Sequence, residues 1–365
     1  MTDPFVRLER LAEILRELVD IESVSLGEEP LLDRITALMP MDRFDLVDDV
    51  DGVRCFLPRE TREGASLILL AGHADTVPIG GAALPSTREG NVLFGRGTAD
   101  MKAGLTVMLA LAQDRGPDSS DVDLGFVFFG REELPITQSA LLPLLERKPE
   151  LGKAGLAVLL EPTANAMEVG CLGNLNATVT VHGLSAHSAR PWLGRNAIHV
   201  AIEMLAPLAG RPAHEVEIDG LVYREVVSVT TIEGGSAANV LPDLVLARVN
   251  VRYAPNRSPA EAEAWLRGTL AHPDLDVHVE GNAPPGPVAV SNPLVHRLLR
   301  AGVSSVGPKQ AWTPVAEFGM AGIDAVNLGP GDPRYAHTDE EQVDISALAE
   351  CYDIIRRFLE RPEEG

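Results

Sequence analysis

The chain has 365 residues, 45% of them apolar and 23% charged, a composition that fits an ordinary folded protein and excludes a disordered or fibrous one. Its 53 acidic side chains against 31 basic ones leave a net charge of −22, which repels nucleic acid and anionic lipid. The length predicts one large domain and one smaller one, and the widely spaced Cys55, Cys171 and Cys351 offer neither a disulfide framework nor a thiolate zinc site.

The first twenty residues, MTDPFVRLERLAEILRELVD, have no basic segment leading an apolar run, and Leu8, Leu11, Leu15 and Leu18 recur on one helical face. An amphipathic first helix is expected there. No run approaches the ~18 consecutive apolar residues of a membrane span, so a soluble, cytoplasmic protein without membrane partners is expected. From 66 to 161, strand-like apolar runs alternate with helical stretches: LILLAGHADTVP, MKAGLTVMLALAQ, LGFVFFGREE, a helix near 139–147, and GLAVLLEP. The alternation predicts an α/β domain with a central, mostly parallel sheet, in which ligands bind beyond the carboxyl ends of the strands.

Around Asn174 the pattern changes to two-residue alternation in NATVTVHG, followed by a helical stretch over 195–208, the strands REVVSVTTIEGG and LVLARVNVRYAP, and a helix from Ser258. This β-α-β-β-α-β order predicts a small ferredoxin-like α+β domain with two helices on one face of its sheet. GNAPPGPVAVSNP reads as the return linker. The inserted domain is placed at 176–287 and the first domain at 1–175 and 288–365, ending in a strand within DAVNLGPG and a helix over 344–359.

The polar residues that follow these strands carry the chemistry. His73 and Asp75 end one run, and side chains two apart in an extended chain project to the same side, so imidazole and carboxylate can meet one ion. Asp100 lies in the Gly-flanked loop GRGTADMKAG; read alone, it is equally an N-cap of the apolar helix that follows. Glu132 and Glu133 end GFVFFG, where adjacent anions repel unless a positive group neutralises them or the strand end is solvated beside Arg131. Glu161 ends GLAVLL in the same manner, with a turn acid before Pro162 as the plainer alternative. His337 follows the strand predicted at 325–328, and a lone histidine is more often structural than a ligand. Five strand ends of one sheet each offering such a group together predict a metal centre. Nitrogen and oxygen donors without thiolates suit zinc, with cobalt or manganese as substitutes. The carboxylates are too many for one tetrahedral ion, which favours two ions sharing one of them.

The motifs GHADTVP (72–78), GRGTADMKAG (95–104), GREE (130–133), LEPT (160–163), GLSAHSARPWLGRNAIH (183–199), GGSAANVLPD (234–243) and NLGPGDPRYAHTDEE (327–341) occur in this order. On them the chain resembles the dinuclear-zinc aminoacylase, acetylornithine deacetylase and succinyl-diaminopimelate desuccinylase family over essentially its whole length, nearest to the actinobacterial desuccinylases. The resemblance implies a metallopeptidase-type hydrolase of N-acyl amide bonds in amino-acid metabolism, with a small N-acyl amino acid or short peptide as substrate. It implies one zinc held by His73 and Glu161, a second by Glu133 and His337, and Asp100 bridging both. Glu132 would be the general base and Asp75 would orient His73. His187 would stabilise the oxyanion from a neighbouring subunit, implying a homodimer joined through the inserted lid domain. Asn239 and Arg252 would hold the substrate's carboxylate and backbone polar groups, with Arg190 and Arg195 either assisting or serving as surface charges.

One segment departs from the family. The desuccinylases usually read Trp-Thr-Asp-Val-Ala-Arg-Phe where this chain has Trp312, Thr313, Pro314, Val315, Ala316, Glu317 and Phe318. If Glu317 lines the pocket, the reversed charge predicts a substrate with a cationic or neutral group there, and a specificity moved away from succinyl-diaminopimelate. Alternatively Glu317 faces solvent or pairs locally. A metal-dependent dipeptidase or carboxypeptidase would use the same cluster with a different pocket. A non-catalytic metal-binding relative would be signalled by loss of Glu132 or a ligand, and none is lost.

Overall fold

A computed structural model describes residues 4–114 and 121–360. The outer limits of the first domain, 1 and 365, and the first three residues of the amphipathic stretch lie outside these. In chain order the strands are β1 (Phe44–Asp48), β2 (Val53–Pro58), β3 (Ser66–His73), β4 (Thr87–Glu89), β5 (Val92–Phe94), β6 (Val122–Phe129), β7 (Leu156–Leu159), β8 (Met167–Val169), β9 (Gly173–His182), β10 (His214–Ile218), β11 (Leu221–Gly234), β12 (Leu244–Tyr253), β13 (Leu275–Ala283), β14 (Val306–Pro308), β15 (Ala325–Asn327) and β16 (Gln342–Asp344). The helices are α1 (Pro4–Val19), α2 (Glu29–Leu38), α3 (Ala103–Gln113), α4 (Leu141–Arg147), α5 (Ala197–Ala209), α6 (Pro259–Thr269), α7 (Pro293–Arg300), α8 (Val315–Met320) and α9 (Ile345–Leu359). They fall into two compact units, residues 1–170, 289–307 and 314–365 in one, 171–288 and 308–313 in the other. Residues 171–175, 288 and 308–313, assigned from the sequence to the first domain, group with the second unit.

The first unit is built on an eight-stranded sheet in the order β1-β2-β6-β3-β7-β15-β8-β14. Its four central strands, β6, β3, β7 and β15, are parallel. The β1–β2 hairpin on one side and β8 on the other are antiparallel. The parallel strands are buried on both faces, which is why β3 and β7 read as unbroken apolar runs. Helix α3 is apolar all round and buried from Ala103 to Ala112. Beside it, α1 buries Leu11, Leu15 and Leu18, each leucine contributing about 2 kcal/mol by leaving water. Helix α9 begins where Asp344 accepts the Ser346 N–H at 2.8 Å, an N-cap of the usual kind.

In the second unit a five-stranded antiparallel sheet has the order β10-β11-β12-β9-β13. Valines of β9 and β12, with Leu205 and Leu208 of α5 and Leu266 of α6, fill the core on one face. Helix α6 opens with a reciprocal capping box between Ser258 and Glu261. The predicted β-α-β-β-α-β order is present with one strand added: β10, unforeseen in the sequence, forms a hairpin with β11. The turn between them is Asp219-Gly220, both with positive φ (51° and 79°), the two-residue connection that matches strand twist.

Candidate metal centre

Because β6, β3, β7 and β15 are parallel, their carboxyl ends lie along one edge of the sheet, and the chain leaving each carries a candidate ligand. His73 is the last residue of β3, Glu132 and Glu133 follow β6, Glu161 follows β7, and His337 lies in the loop after β15. Asp100 comes from the turn Thr98–Lys102 that leads into α3; Lys102, rather than Asp100, occupies the N-cap. Adjacent glutamates on a straight strand would face opposite ways. Here β6 has ended, and Arg131 takes a left-handed backbone (φ 63°) that bends the doublet into a turn. His337 is left-handed too (φ 63°), a conformation that costs a non-glycine residue roughly 1 kcal/mol.

The His337 loop is pinned by close backbone approach. A Cβ on Gly329 would lie 2.3 Å from the Leu160 carbonyl oxygen, and one on Gly331 would lie 2.3 Å from that of Ala99. Both positions require glycine, which accounts for the spacing in NLGPG.

His73 Nε2 is 3.1 Å from Asp100 Oδ1 and 3.9 Å from Glu161 Oε1. His337 Nε2 is 3.0 Å from Glu133 Oε1 and 3.4 Å from Asp100 Oδ2. The two oxygens of Asp100 therefore face two imidazoles. Three overlapping triads result: His73, Asp100 and Glu161; His73, Glu132 and Glu133; Asp100, Glu133 and His337. Within each, one ligand atom per residue lies within 4.8 Å of the others.

Asp75 is fully buried, and its contacts differ from a simple support of His73. The imidazole Nδ1 meets the backbone carbonyl of Asp75 at 2.9 Å, with the Asp75 carboxylate 3.6 Å away. That carboxylate accepts the Ser25 hydroxyl at 2.7 Å and the backbone N–H groups of Glu132 and Glu133 at 3.0 and 3.2 Å. Asp75 thus fixes the glutamate turn as well as bordering the histidine.

The charges are strongly coupled. Burial alone would lower the His73 pKa, but the Asp100 and Asp75 carboxylates outweigh it and hold the pKa well above the usual value. Hydrogen bonds to Asp100 and Glu133 push His337 up to about 10. Burial, reinforced by the charges of Glu161, Glu133 and Asp100, raises Glu132 well above an ordinary glutamate. Among the described residues, the ion pairs of Asp100 and Glu133 are formed with these two histidines. Acids gathered this closely need positive charge, and hard oxygen donors with imidazole nitrogens fit a divalent cation such as zinc, cobalt or manganese.

Glu341 is a positioning residue that the sequence reading missed. It is 1% exposed. Its Oε1 accepts the backbone N–H groups of Ala99 and Asp100, both at 3.0 Å, and its Oε2 accepts Arg96 Nη1 at 2.6 Å. Glu341→Gln turns an amide donor either toward the guanidinium, which loses that contact, or toward the two N–H groups, which loses both of those. Metal affinity is expected to fall about 10–100-fold, read by metal retention against a competing chelator; unchanged retention would deny Glu341 this role.

The remaining candidates are placed elsewhere. His187, Asn239 and Arg252 belong to the second unit. His187 and Asn239 lie on paired segments: His187 bridges Val240, and Ser188 N–H donates to the Asn239 carbonyl at 2.9 Å. His187 is exposed and its Nδ1 accepts the Ala189 N–H at 3.0 Å, so the neutral ring carries its proton on Nε2. Arg195 pairs with Asp274 at 2.6 Å. Glu317 is 2% exposed and accepts the Ser139 hydroxyl, the local pairing that stood as the alternative to a pocket-lining role.

A histidine and carboxylate donor set at the carboxyl edge of such a sheet can hold a divalent metal, and the family match assigns it to a metal-dependent amide hydrolase. The chain belongs to peptidase family M20/M25/M40, whose profile matches residues 69–361. The succinyl-diaminopimelate desuccinylase of Corynebacterium glutamicum is 37% identical over 98% of this chain and 96% of its own length. A Mycobacterium tuberculosis protein provisionally named for the same activity is 38% identical over 95% of this chain and 97% of its own. The aminopeptidase PepT of Bacillus cereus shares the fold, with a TM-score of 0.78 at 21% identity, covering 97% of this chain and 98% of its own. The family resemblance drawn from the motifs is thereby borne out. Among the described residues, no helix is long and apolar enough to cross a membrane.

Proposed function

We propose that this chain is a dinuclear-zinc deacylase that cleaves the N-acyl amide bond of an N-succinyl amino acid, acting as a homodimer. The observation that carries the reading is the position of Asp100, whose two oxygens face His73 and His337 in two triads that share it. His73, Asp100 and Glu161 would hold one ion; Asp100, Glu133 and His337 would hold the other. Bound zinc supplies Lewis acidity toward the amide carbonyl and lowers the pKa of a water. Glu132 takes the proton of the attacking water and delivers it to the departing amine nitrogen. Asp75 keeps Glu132 aimed by holding its backbone N–H. His187 offers an Nε2–H donor to the oxyanion in the site of a neighbouring copy. Asn239 and Arg252 bind the substrate's polar groups and carboxylate.

The homodimer reading is supported by the second unit. Strand β10 pairs with β11 only as far as Glu225, so from Val226 to Gly234 one edge of β11 carries no strand among the described residues. Ile232, Leu184, Trp192, Leu193 and Ile202 are more than half exposed in the same unit. Edges and apolar surfaces of this kind invite a second copy.

The succinyl assignment is supported by the relatives' activity and by the inward Glu317, which presents no outward charge to repel a substrate anion. The test is a mass-spectrometric screen of the zinc-loaded protein against N-succinyl-diaminopimelate, N-acetyl amino acids and dipeptides, with Glu132→Ala as control. Turnover of the succinyl amide that disappears in the control is expected. Faster cleavage of dipeptides would overturn the assignment in favour of a peptidase.

A further inference from the structure

In the second unit, Val249, Val251 and Tyr253 of β12 enter the core beneath the helices, so the alternating Asn250 and Arg252 project from the opposite, open face of the sheet. Strand register sets Asn250 opposite Asn176 and Arg252 opposite Asn174 on β9. Asn250 Nδ2 donates to Asn174 Oδ1 at 2.7 Å and to Asn176 Oδ1 at 2.8 Å. Two acceptors at the nitrogen leave the amide one way to face: its oxygen turns to Arg252 and accepts the Nε–H at 3.1 Å. The guanidinium is therefore held by its Nε corner. Its Nη1 and Nη2 edge, which makes paired hydrogen bonds to carboxylates, has no protein acceptor among the described residues.

The partners are also neutral. Every member of the network is an asparagine, and among the described residues no carboxylate forms an ion pair with Arg252. Arg252 is half-buried, and burial pulls its pKa below the ordinary arginine value, the mark of a charge that has lost water without gaining a counter-ion. An aspartate at 250 could accept the same Nε–H and would cancel the charge. Asparagine fixes the side chain and leaves its charge for a ligand.

We infer that Asn250, oriented by Asn174 and Asn176, is a specificity-determining positioning residue that aims the uncompensated Arg252 guanidinium at a substrate carboxylate. The inference rests on the deacylase reading for the identity of the reaction, while the anion preference is a property of the asparagine network. Acidic substrates are selected over their amides because only an anion completes the Nη edge.

The experiment compares wild type, Asn250→Asp and Arg252→Ala, all zinc-loaded. Steady-state kinetics with N-succinyl-diaminopimelate are paired with equilibrium binding of succinate and of uncharged succinamide. Asn250→Asp is expected to raise KM at least tenfold with kcat within threefold, and to weaken succinate to the level of Arg252→Ala without changing succinamide. Should Asn250→Asp not fold, the Asn174→Ala/Asn176→Ala double variant, which frees the amide to turn, is expected to raise KM several-fold. An unchanged KM and unchanged succinate binding, in whichever variant folds, overturn the inference while leaving the deacylase intact. Succinate binding that follows the variants in a protein that cleaves no N-acyl amide keeps the anion receptor and removes the deacylase reading.

Discussion

Replacing Glu132 by Gln is expected to lower kcat by about a thousandfold or more, with KM changed only a few-fold and metal content unchanged. General acid–base groups contribute about 10²–10⁴-fold, and here one group performs both transfers. The amide is isosteric, and Asp75 grips the backbone of residue 132 rather than its side chain, so the turn that also carries Glu133 is kept. A variant that lost metal in parallel with activity would show that Glu132 acts as a ligand, consistent with the triad it forms with His73 and Glu133. One that retained both would remove it from the mechanism.

The second large effect concerns stability. Burial raises the Glu317 carboxyl from an ordinary 4.5 to about 7, against the lowering contribution of the Ser139 hydrogen bond. A carboxyl whose pKa is higher in the folded state binds more protons there than in the unfolded chain. Stability therefore falls as pH rises from about 4.5 to about 7 and is level beyond. The loss is on the order of 3 kcal/mol for a group this enclosed. Glu317→Gln keeps an oxygen for Ser139 and cannot ionise. It should stabilise the protein by a large part of that amount at pH 8 and by almost nothing at pH 4, measured by denaturant unfolding at both. Equal effects at the two pH values would mean that the carboxylate is ionised in the fold and served by some other group.

Much of the metal centre was legible because parallel strands leave a direct signature: an unbroken apolar run that stops on a polar residue. His73, Glu132, Glu133 and Glu161 each follow such a run, and parallel pairing together with the bend at Arg131 brings them to one edge. Glu341 was hidden because it sits in a run of acids, TDEE, that resembles any solvated surface. Only the contact with Arg96 and the Asp100 loop buries it. The bend at Arg131 was required by the geometry of adjacent residues, but its residue type gives no warning of a positive φ. Strand β10 was missed because HEVEI alternates acids with aliphatics on an exposed hairpin, although the Asp219-Gly220 pair was available as a signal. The charge of Glu317 was readable and its direction was not, since α8 carries it inward to Ser139. The asparagines at 174, 176 and 250 looked like ordinary polar positions of an open sheet face until register brought them together.

The order of strands across the large sheet bears on how the protein is made. Strand β15 lies between β7 and β8, which precede it by some 150 residues in the chain, so a ribosome releases the two flanking strands long before the one that joins them. At translation speeds of about 5–20 residues per second the chain from 170 to 324 takes on the order of ten seconds to appear. Throughout that interval β7 and β8 present unpaired backbone edges to each other and to the cell. The loop carrying His337 emerges last of all the donors, so the triad of Asp100, Glu133 and His337 is completed only near the end of synthesis, whereas His73, Asp100 and Glu161 are all present once residue 161 has been made.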